Sequence, residues 1–169
     1  SFNKVNNGYQ QDQDEGELPP GIQAVDLAMG GTDEGRAMLQ LIHDVAPDAQ
    51  LFFNTGFESR GDMANAIVNM ASFVDILVDD ITYINSEYYK DGELAKAVEA
   101  AKLVNPDLLY LTSAGNFGNR SYEAVFQPAE APNENRHDFN PGDPTVYLQE
   151  LGGGDIKLSE GLYIIGLQW

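Results

Sequence analysis

Residues 108–118 read Leu-Leu-Tyr-Leu-Thr-Ser-Ala-Gly-Asn-Phe-Gly, and how this stretch is read decides the fold. Its first half, Leu108 to Leu111, is an apolar run too short for a helix and suited to a strand buried on both faces. Its second half turns on two glycines, Gly115 and Gly118. Upstream the same texture recurs: short apolar runs at Ala49 to Phe53 and Ile76 to Val78 alternate with longer stretches of helical period. The first helix is expected from about Asp33 to Val45, with Ala37, Met38, Leu41, Ile42 and Val45 on one face and Pro47 closing it. A second begins after Gly61-Asp62 and buries Met63, Ala66, Ile67 and Met70. A third follows Asp91 and buries Leu94, Ala97, Val98 and Ala101.

Strands alternating with helices imply an α/β fold with a doubly wound parallel sheet and crossover helices. In such sheets function gathers at the carboxyl ends of the strands. The residues to inspect are therefore Asn54 to Phe57, Asp79 to Tyr83 and Ser113 to Gly118.

Past residue 122 the texture changes to Pro, Asn and Asp, then to strand-like pieces at Thr145 to Leu151 and Leu162 to Trp169, parted by Gly152-Gly153-Gly154. This reads as part of an antiparallel β-sandwich, so residues 1–122 form one partial domain and 123–169 a β-rich insertion or partial second domain. The last strand runs into Trp169 with no terminator, and a chain cut short is expected. The opening segment, Ser1 to Pro20, is polar, and Gln10 to Glu17 reads as a solvated loop. Its Asp12, Asp14 and Glu15 lack the spacing of an EF-hand loop.

Composition limits the function classes. Of 169 residues 43% are apolar, which suits a packed core. A net charge of -18, from 27 acidic and 9 basic residues, repels nucleic acid and anionic membrane surfaces. Clustered carboxylates leave calcium as the one cofactor worth considering; no other cofactor and no resident metal is expected. The absence of cysteine removes disulfides, thiolate metal sites and cysteine nucleophiles together. No apolar run approaches the ~20 residues of a spanning helix, so no membrane insertion is expected.

Ser113-Ala114-Gly115-Asn116 at the end of a buried strand has three readings: a phosphate-cradling turn, a plain glycine turn, or a turn whose asparagine donates a hydrogen bond to an oxyanion. The segment 33–53 is a helix followed by Ala46-Pro47-Asp48-Ala49-Gln50-Leu51 and a strand. Together, in this order, the two segments resemble the subtilisin-like serine peptidases over roughly residues 33–125. In that family a His-Gly opens the helix bearing the catalytic base, an Ala-Pro-x-Ala-x-Leu run enters the next strand, and a later Ala-Gly-Asn supplies the oxyanion-hole asparagine. The resemblance implies that Asn116 stabilises the oxyanion of the tetrahedral intermediate. It implies too that Asp80, Thr82, Ser113 and Gly115 line the path of a peptide or protein substrate, and that the protein works outside the cell or at its surface.

The sequence departs from the family at Glu34-Gly35, where a carboxylate stands in place of imidazole. The sedolisin group uses a glutamate there and works in acid, as befits a base with an unperturbed pKa of ~4.3, but it pairs that glutamate with an aspartate at the position held here by Asn116. His43 is no substitute: nine residues beyond Glu34, it lies about half a turn out of phase and ~13 Å along the helix, and reads as a surface or capping histidine. His137 matches no family position. The family's Asp-Ser segment is absent, and the seven serines, at 1, 59, 72, 86, 113, 121 and 159, include none that follows Gly-Thr.

The readings rank as follows. First is part of a subtilisin-like endopeptidase using Glu34 and Asn116, inactive as this chain alone because it lacks the nucleophilic serine. Second is a catalytically silent peptidase-like module that binds peptides or a partner. Third is an unrelated nucleotide-binding domain, disfavoured by the lack of a Gly-x-Gly-x-x-Gly or a P-loop lysine. The sequence sets no oligomeric state.

Overall fold

Apart from the opening helix, every regular element falls in the alternation expected of an α/β chain. The computed structural model describes residues 8–26, 32–56, 58–118, 121–140, 142–143 and 161–162. In order these carry α1 (Gly8–Glu15), β1 (Gln23–Asp26), α2 (Glu34–Val45), β2 (Phe52–Asn54), α3 (Arg60–Met70), β3 (Ile76–Asp79), α4 (Glu93–Val104) and β4 (Leu109–Thr112).

Local chemistry explains where the helices begin and end. The Ser59 hydroxyl accepts the Asp62 amide at 3.1 Å, satisfying one of the amide donors that α3 leaves open at its start. Helix α4 carries Glu93 in its first turn and Lys102 in its last, both favourable to the helix dipole. The Lys102 ammonium also donates to the Leu108 carbonyl at 2.9 Å, tying the helix end to the strand that follows. Helix α2 stops at Ala46, whose amide bonds to the Ile42 carbonyl, one residue before Pro47.

The strands pair in parallel, β1 with β2 and β3 with β4. In the second pair Ile76 faces Leu109, Leu77 faces Tyr110, Val78 faces Leu111 and Asp79 faces Thr112. The first pair carries an irregularity between Ala24 and Asp26. The molecule is thus a mixed α/β protein with parallel strand pairs, each linked by a helix. β2 and β3, joined through α3, are not ladder partners among the described residues.

Two apolar clusters hold these elements. Met63, Ile67 and Ala71 of α3 and its C-terminal turn meet Leu77 of β3, Ala97 and Ala101 of α4, and Leu108, with Ala66 and Met70 half-buried and Leu94 and Val98 packed at the rim. The helical stripes read from the sequence for α3 and α4 are therefore the inner faces. The alanines let the two helices approach closely. A smaller cluster joins Leu18, Leu39 and Leu51, edged by Tyr9, Ile22, Ile42 and Phe53.

Three expectations need correction. The stripe assigned to α2 is rotated: Leu39 is buried at 6% exposure, whereas Leu41 is 66% and Val45 87% exposed. The partners in space, Leu18 and Leu51, lie on the Leu39 side. The polar segment at Gln10 to Glu17 includes a helix, α1, because Gln10 and Gln11 bond Asp14 and Glu15 one turn on, at 3.3 and 2.8 Å. Tertiary contacts complete it, Tyr9 packing on the Leu18 cluster and Asp12 pairing with Arg36 at 3.3 Å. Among the described residues, the strands of the second pair are covered on one face alone. Leu77 and Tyr110 turn toward the helices, while Ile76, Val78, Leu109 and Leu111 on the alternate positions stay between 41% and 56% exposed.

The chain forms two compact units, parted between Ala114 and Gly115. In the second, Pro128 and His137 form an antiparallel bridge, and the His137 ring packs against Tyr122, Phe126 and Phe139. The expected strand Thr145 to Leu151 and, beyond Leu162, the strand to Trp169 lie outside the described residues, as do Gly152 to Gly154.

Candidate functional site

Parallel pairing of β3 with β4 puts their carboxyl ends side by side, and the last pair in the ladder is Asp79 with Thr112. Side chains alternate along a strand, so Asp79 shares the helix-covered face with Leu77, and Tyr110 and Thr112 share it from β4. The result is a carboxylate held by two hydroxyls. The Thr112 hydroxyl donates to Asp79 Oδ1 at 2.7 Å, and the Tyr110 hydroxyl donates to Asp79 Oδ2. Burial above all, then the hydrogen bond to Asp79 and the charge of that carboxylate, push the Tyr110 hydroxyl far above the ordinary 10.0. Tyr110 therefore remains a protonated donor at any working pH.

Beside this pair, the loop after β2 is strapped to the loop after β3. The Tyr83 hydroxyl donates to the Gly56 carbonyl and lies 3.0 Å from that of Ser59. Arg60 Nη1 reaches the Asn85 carbonyl at 3.1 Å and the Glu87 carboxylate at 3.4 Å. Gly56 is needed for this close approach: a β-carbon there would stand 2.9 Å from Ile81 Cγ1 and 3.0 Å from Met63 Sδ. Tyr83 too is raised above 10.0, chiefly by burial, then by Asp62 and Asp79. Thr55, at the end of β2, is buried.

The residues singled out from the sequence fall on this rim or at helix and strand termini. Glu34 is the first residue of α2 and is exposed. Gly35 lies against the Phe53 ring, where a β-carbon would meet Cε2 at 2.4 Å; the Glu-Gly dipeptide thus has a packing role for its glycine. Asp80 and Thr82 follow β3, exposed. Ser113 follows β4, exposed, with its amide on the Asp79 carbonyl at 3.2 Å. Gly115 has φ +76°, in the left-handed region that a side chain disfavours, and Asn116 after it is exposed. Among the described residues no hydrogen bond joins Glu34 to Asp80, Thr82 or Ser113, and Gly115 and Asn116 belong to the second unit. Phe57 lies outside the described residues.

His43 differs from its expectation. It stands in the last turn of α2, where a cation suits the dipole, yet its Nδ1 is buried. His137, which matches no family position, is held from both sides. Its Nδ1 accepts the Gln127 amide at 3.0 Å and its Nε2 lies 3.0 Å from the Tyr122 hydroxyl.

Sequence reading included Asp79 and Tyr83 in the stretch to inspect without giving either a role, and it gave Tyr110 none. The ladder register sets Asp79, not Asp80, opposite Thr112, and that register is fixed by the packing of whole strands and not by local sequence.

No family model matches the chain, and neither a curated protein nor a solved structure matches it. Among the described residues no group of three His, Asp or Glu side chains is placed to hold a metal ion. No helix among them is long and apolar enough to cross a membrane.

Proposed function

We propose that this chain is part of a subtilisin-like serine endopeptidase, with Asn116 as oxyanion donor and Glu34 as the base. Asp80, Thr82, Ser113 and Gly115 border the path of the peptide. The observation that carries the reading is an arrangement. Glu34 opens a helix between two parallel strands, and Ser113-Ala114-Gly115-Asn116 leaves the carboxyl end of a further parallel strand with its glycine at positive φ. Both lie where α/β proteins place chemistry. The finer fold belongs to the same proposal: the two parallel pairs are portions of one doubly wound sheet. The exposed apolar face of Ile76, Val78, Leu109 and Leu111 supports this, since parallel sheets are ordinarily covered on both sides.

In this mechanism a nucleophilic serine attacks the scissile carbonyl and passes its proton to the base. No serine of this chain follows Gly-Thr, so the nucleophile is assigned to a part of the protein beyond these residues. An extracellular or cell-surface setting is proposed with the reading.

The test is cleavage of a peptide library by the full-length protein from acid to neutral pH, beside the present chain alone. Removing an oxyanion donor typically lowers kcat by ~10²–10³, and Asn116→Ala is expected to do the same with KM little changed. Glu34→Gln should abolish turnover, and an unchanged rate there would defeat the base assignment. Silence of the full-length protein under every condition would favour a peptidase-like module that binds peptides without cutting them.

A further inference from the structure

The connection between β3 and α4 runs from Asp80 to Gly92 without a regular element, longer than the ~2–6 residues usual in α/β units. Among the described residues Asp80, Ile81 and Thr82 make no hydrogen bond of their own, so their place is set by what holds the residues on either side. On one side Asp79 ends the ladder with β4. On the other stands Tyr83, whose ring packs on the cluster of Met63 and Ile67. Its hydroxyl donates to the Gly56 carbonyl and lies 3.0 Å from that of Ser59. Between the two, Ile81 lies against Gly56, where a β-carbon would stand 2.9 Å from its Cγ1. Farther along, Arg60 Nη1 reaches the Asn85 carbonyl at 3.1 Å and the Glu87 carboxylate at 3.4 Å. That carboxylate in turn lies over Gly92, where a β-carbon would stand 2.2 Å from Oε2. All of these residues belong to the first compact unit.

We infer that Tyr83 is a positioning residue, with Arg60 as a second tie: together they hold Asp80 to Thr82 ready for the peptide that the segment borders. The chemistry suits the task. A phenol has an apolar body to bury and a polar tip to bond, so one side chain can anchor in the cluster of α3 and still tie down a carbonyl of the neighbouring loop. Its hydroxyl is raised above 10.0, first by burial and then by Asp62 and Asp79, and so stays a donor. Tyr88 and Tyr89 of the same connection are exposed and hold nothing in this way. A long connection without such ties would have to be ordered when the peptide binds, at the expense of affinity.

The consequence for substrate rests on the endopeptidase reading; the holding of the segment does not, and the experiment separates the two. Full-length protein carrying Tyr83→Phe, which keeps the ring and removes the hydroxyl, is compared with the unaltered protein by amide hydrogen exchange. Arg60→Met is compared in the same way and guards against Tyr83→Phe failing to fold. The Ser86 amide, bonded to the Tyr83 carbonyl at 2.9 Å, reads the connection directly. It is expected to exchange about three- to tenfold faster in Tyr83→Phe, and to move in the same direction in Arg60→Met, the change a lost hydrogen bond of ordinary strength produces. The Ala71 and Asn105 amides, bonded to the Ile67 and Ala101 carbonyls at 3.2 and 2.8 Å, should keep their rates. Unchanged exchange at Ser86 in both variants overturns the inference. Equal acceleration at Ser86, Ala71 and Asn105 overturns it too, because the ties would then serve the whole unit and not this segment.

In the cleavage assay Tyr83→Phe is expected to raise KM about three- to tenfold with kcat within about twofold, since the hydroxyl orders a binding segment and touches no reacting atom. A fall in kcat with KM unchanged, or no change in either, would overturn the substrate part of the inference. If the full-length protein cuts no peptide, the endopeptidase reading fails and the substrate part fails with it, while exchange at Ser86 still decides whether Tyr83 and Arg60 hold the connection.

Discussion

Leu39→Ala and Leu41→Ala, made separately, distinguish the α2 face that the periodicity suggests from the one the structure uses. Leu39 is 6% exposed and packs with Leu18 and Leu51. Truncation to alanine removes three carbons, which at ~0.8 kcal/mol for each buried methylene is about 2.4 kcal/mol of lost transfer energy. The cavity between Leu18 and Leu51 adds to this, bringing the loss to about 3 kcal/mol, within the ~2–5 range of such changes. Leu41 is 66% exposed, so only about a third of its transfer term is at stake, and alanine's helix propensity offsets part of that; the loss should stay below about 1 kcal/mol. Urea denaturation followed by far-ultraviolet circular dichroism measures both. Thermal melting gives a second reading, at ~2–4 °C for each kcal/mol in a chain of this size. A greater loss for Leu41→Ala than for Leu39→Ala would refute the packing of α2 described above.

Tyr110 makes stability sensitive to alkali. Its hydroxyl is held above the 10.0 of a free phenol, so its contribution is complete below about pH 10, where the unfolded chain is also protonated, and is lost as pH rises beyond that. Denaturation from pH 8 to 11 should show this fall, and Tyr110→Phe should lessen it, the part due to the likewise raised Tyr83 remaining; an equal fall in the variant would refute the assignment. Gly35→Ala forces the Phe53 ring aside, since the new β-carbon would stand 2.4 Å from Cε2, and overpacking of this kind costs roughly 1–3 kcal/mol. A neutral result by the same denaturation assay would show that the helix start yields more readily than the geometry implies.

Helices α3 and α4 were legible because each is amphipathic over three turns and the same stripe faces one layer. Met63 and Ile67, and Ala97 and Ala101, recur at the helical period and are buried where that period places them. Strands β3 and β4 were legible as short β-branched and leucine-rich runs closed by Asp and Thr. Helix α2 was misread because it has apolar residues on more than one side, and periodicity cannot choose between Leu39 and Leu41 without knowing what stands opposite. Helix α1 left no apolar stripe to read. Its order depends on Tyr9 meeting Leu18 and on Asp12 meeting Arg36, contacts made across more than twenty residues of chain in the second case.

For the candidate site, residue chemistry and order were visible in the chain: Glu34-Gly35 at a helix start, an Asp-Asp step after one strand, Ser113-Ala114-Gly115-Asn116 after another. Local period and turn chemistry determine such things, because they act between residues a few positions apart. The tertiary structure alone decided which carboxylate of the Asp79-Asp80 step turns inward, that Tyr110 and Thr112 grip it, and that Tyr83 ties two loops together. Those outcomes depend on strand register, and register is settled by the packing of whole strands against α3 and α4. A slip of one residue would have turned Asp79 outward and Asp80 in.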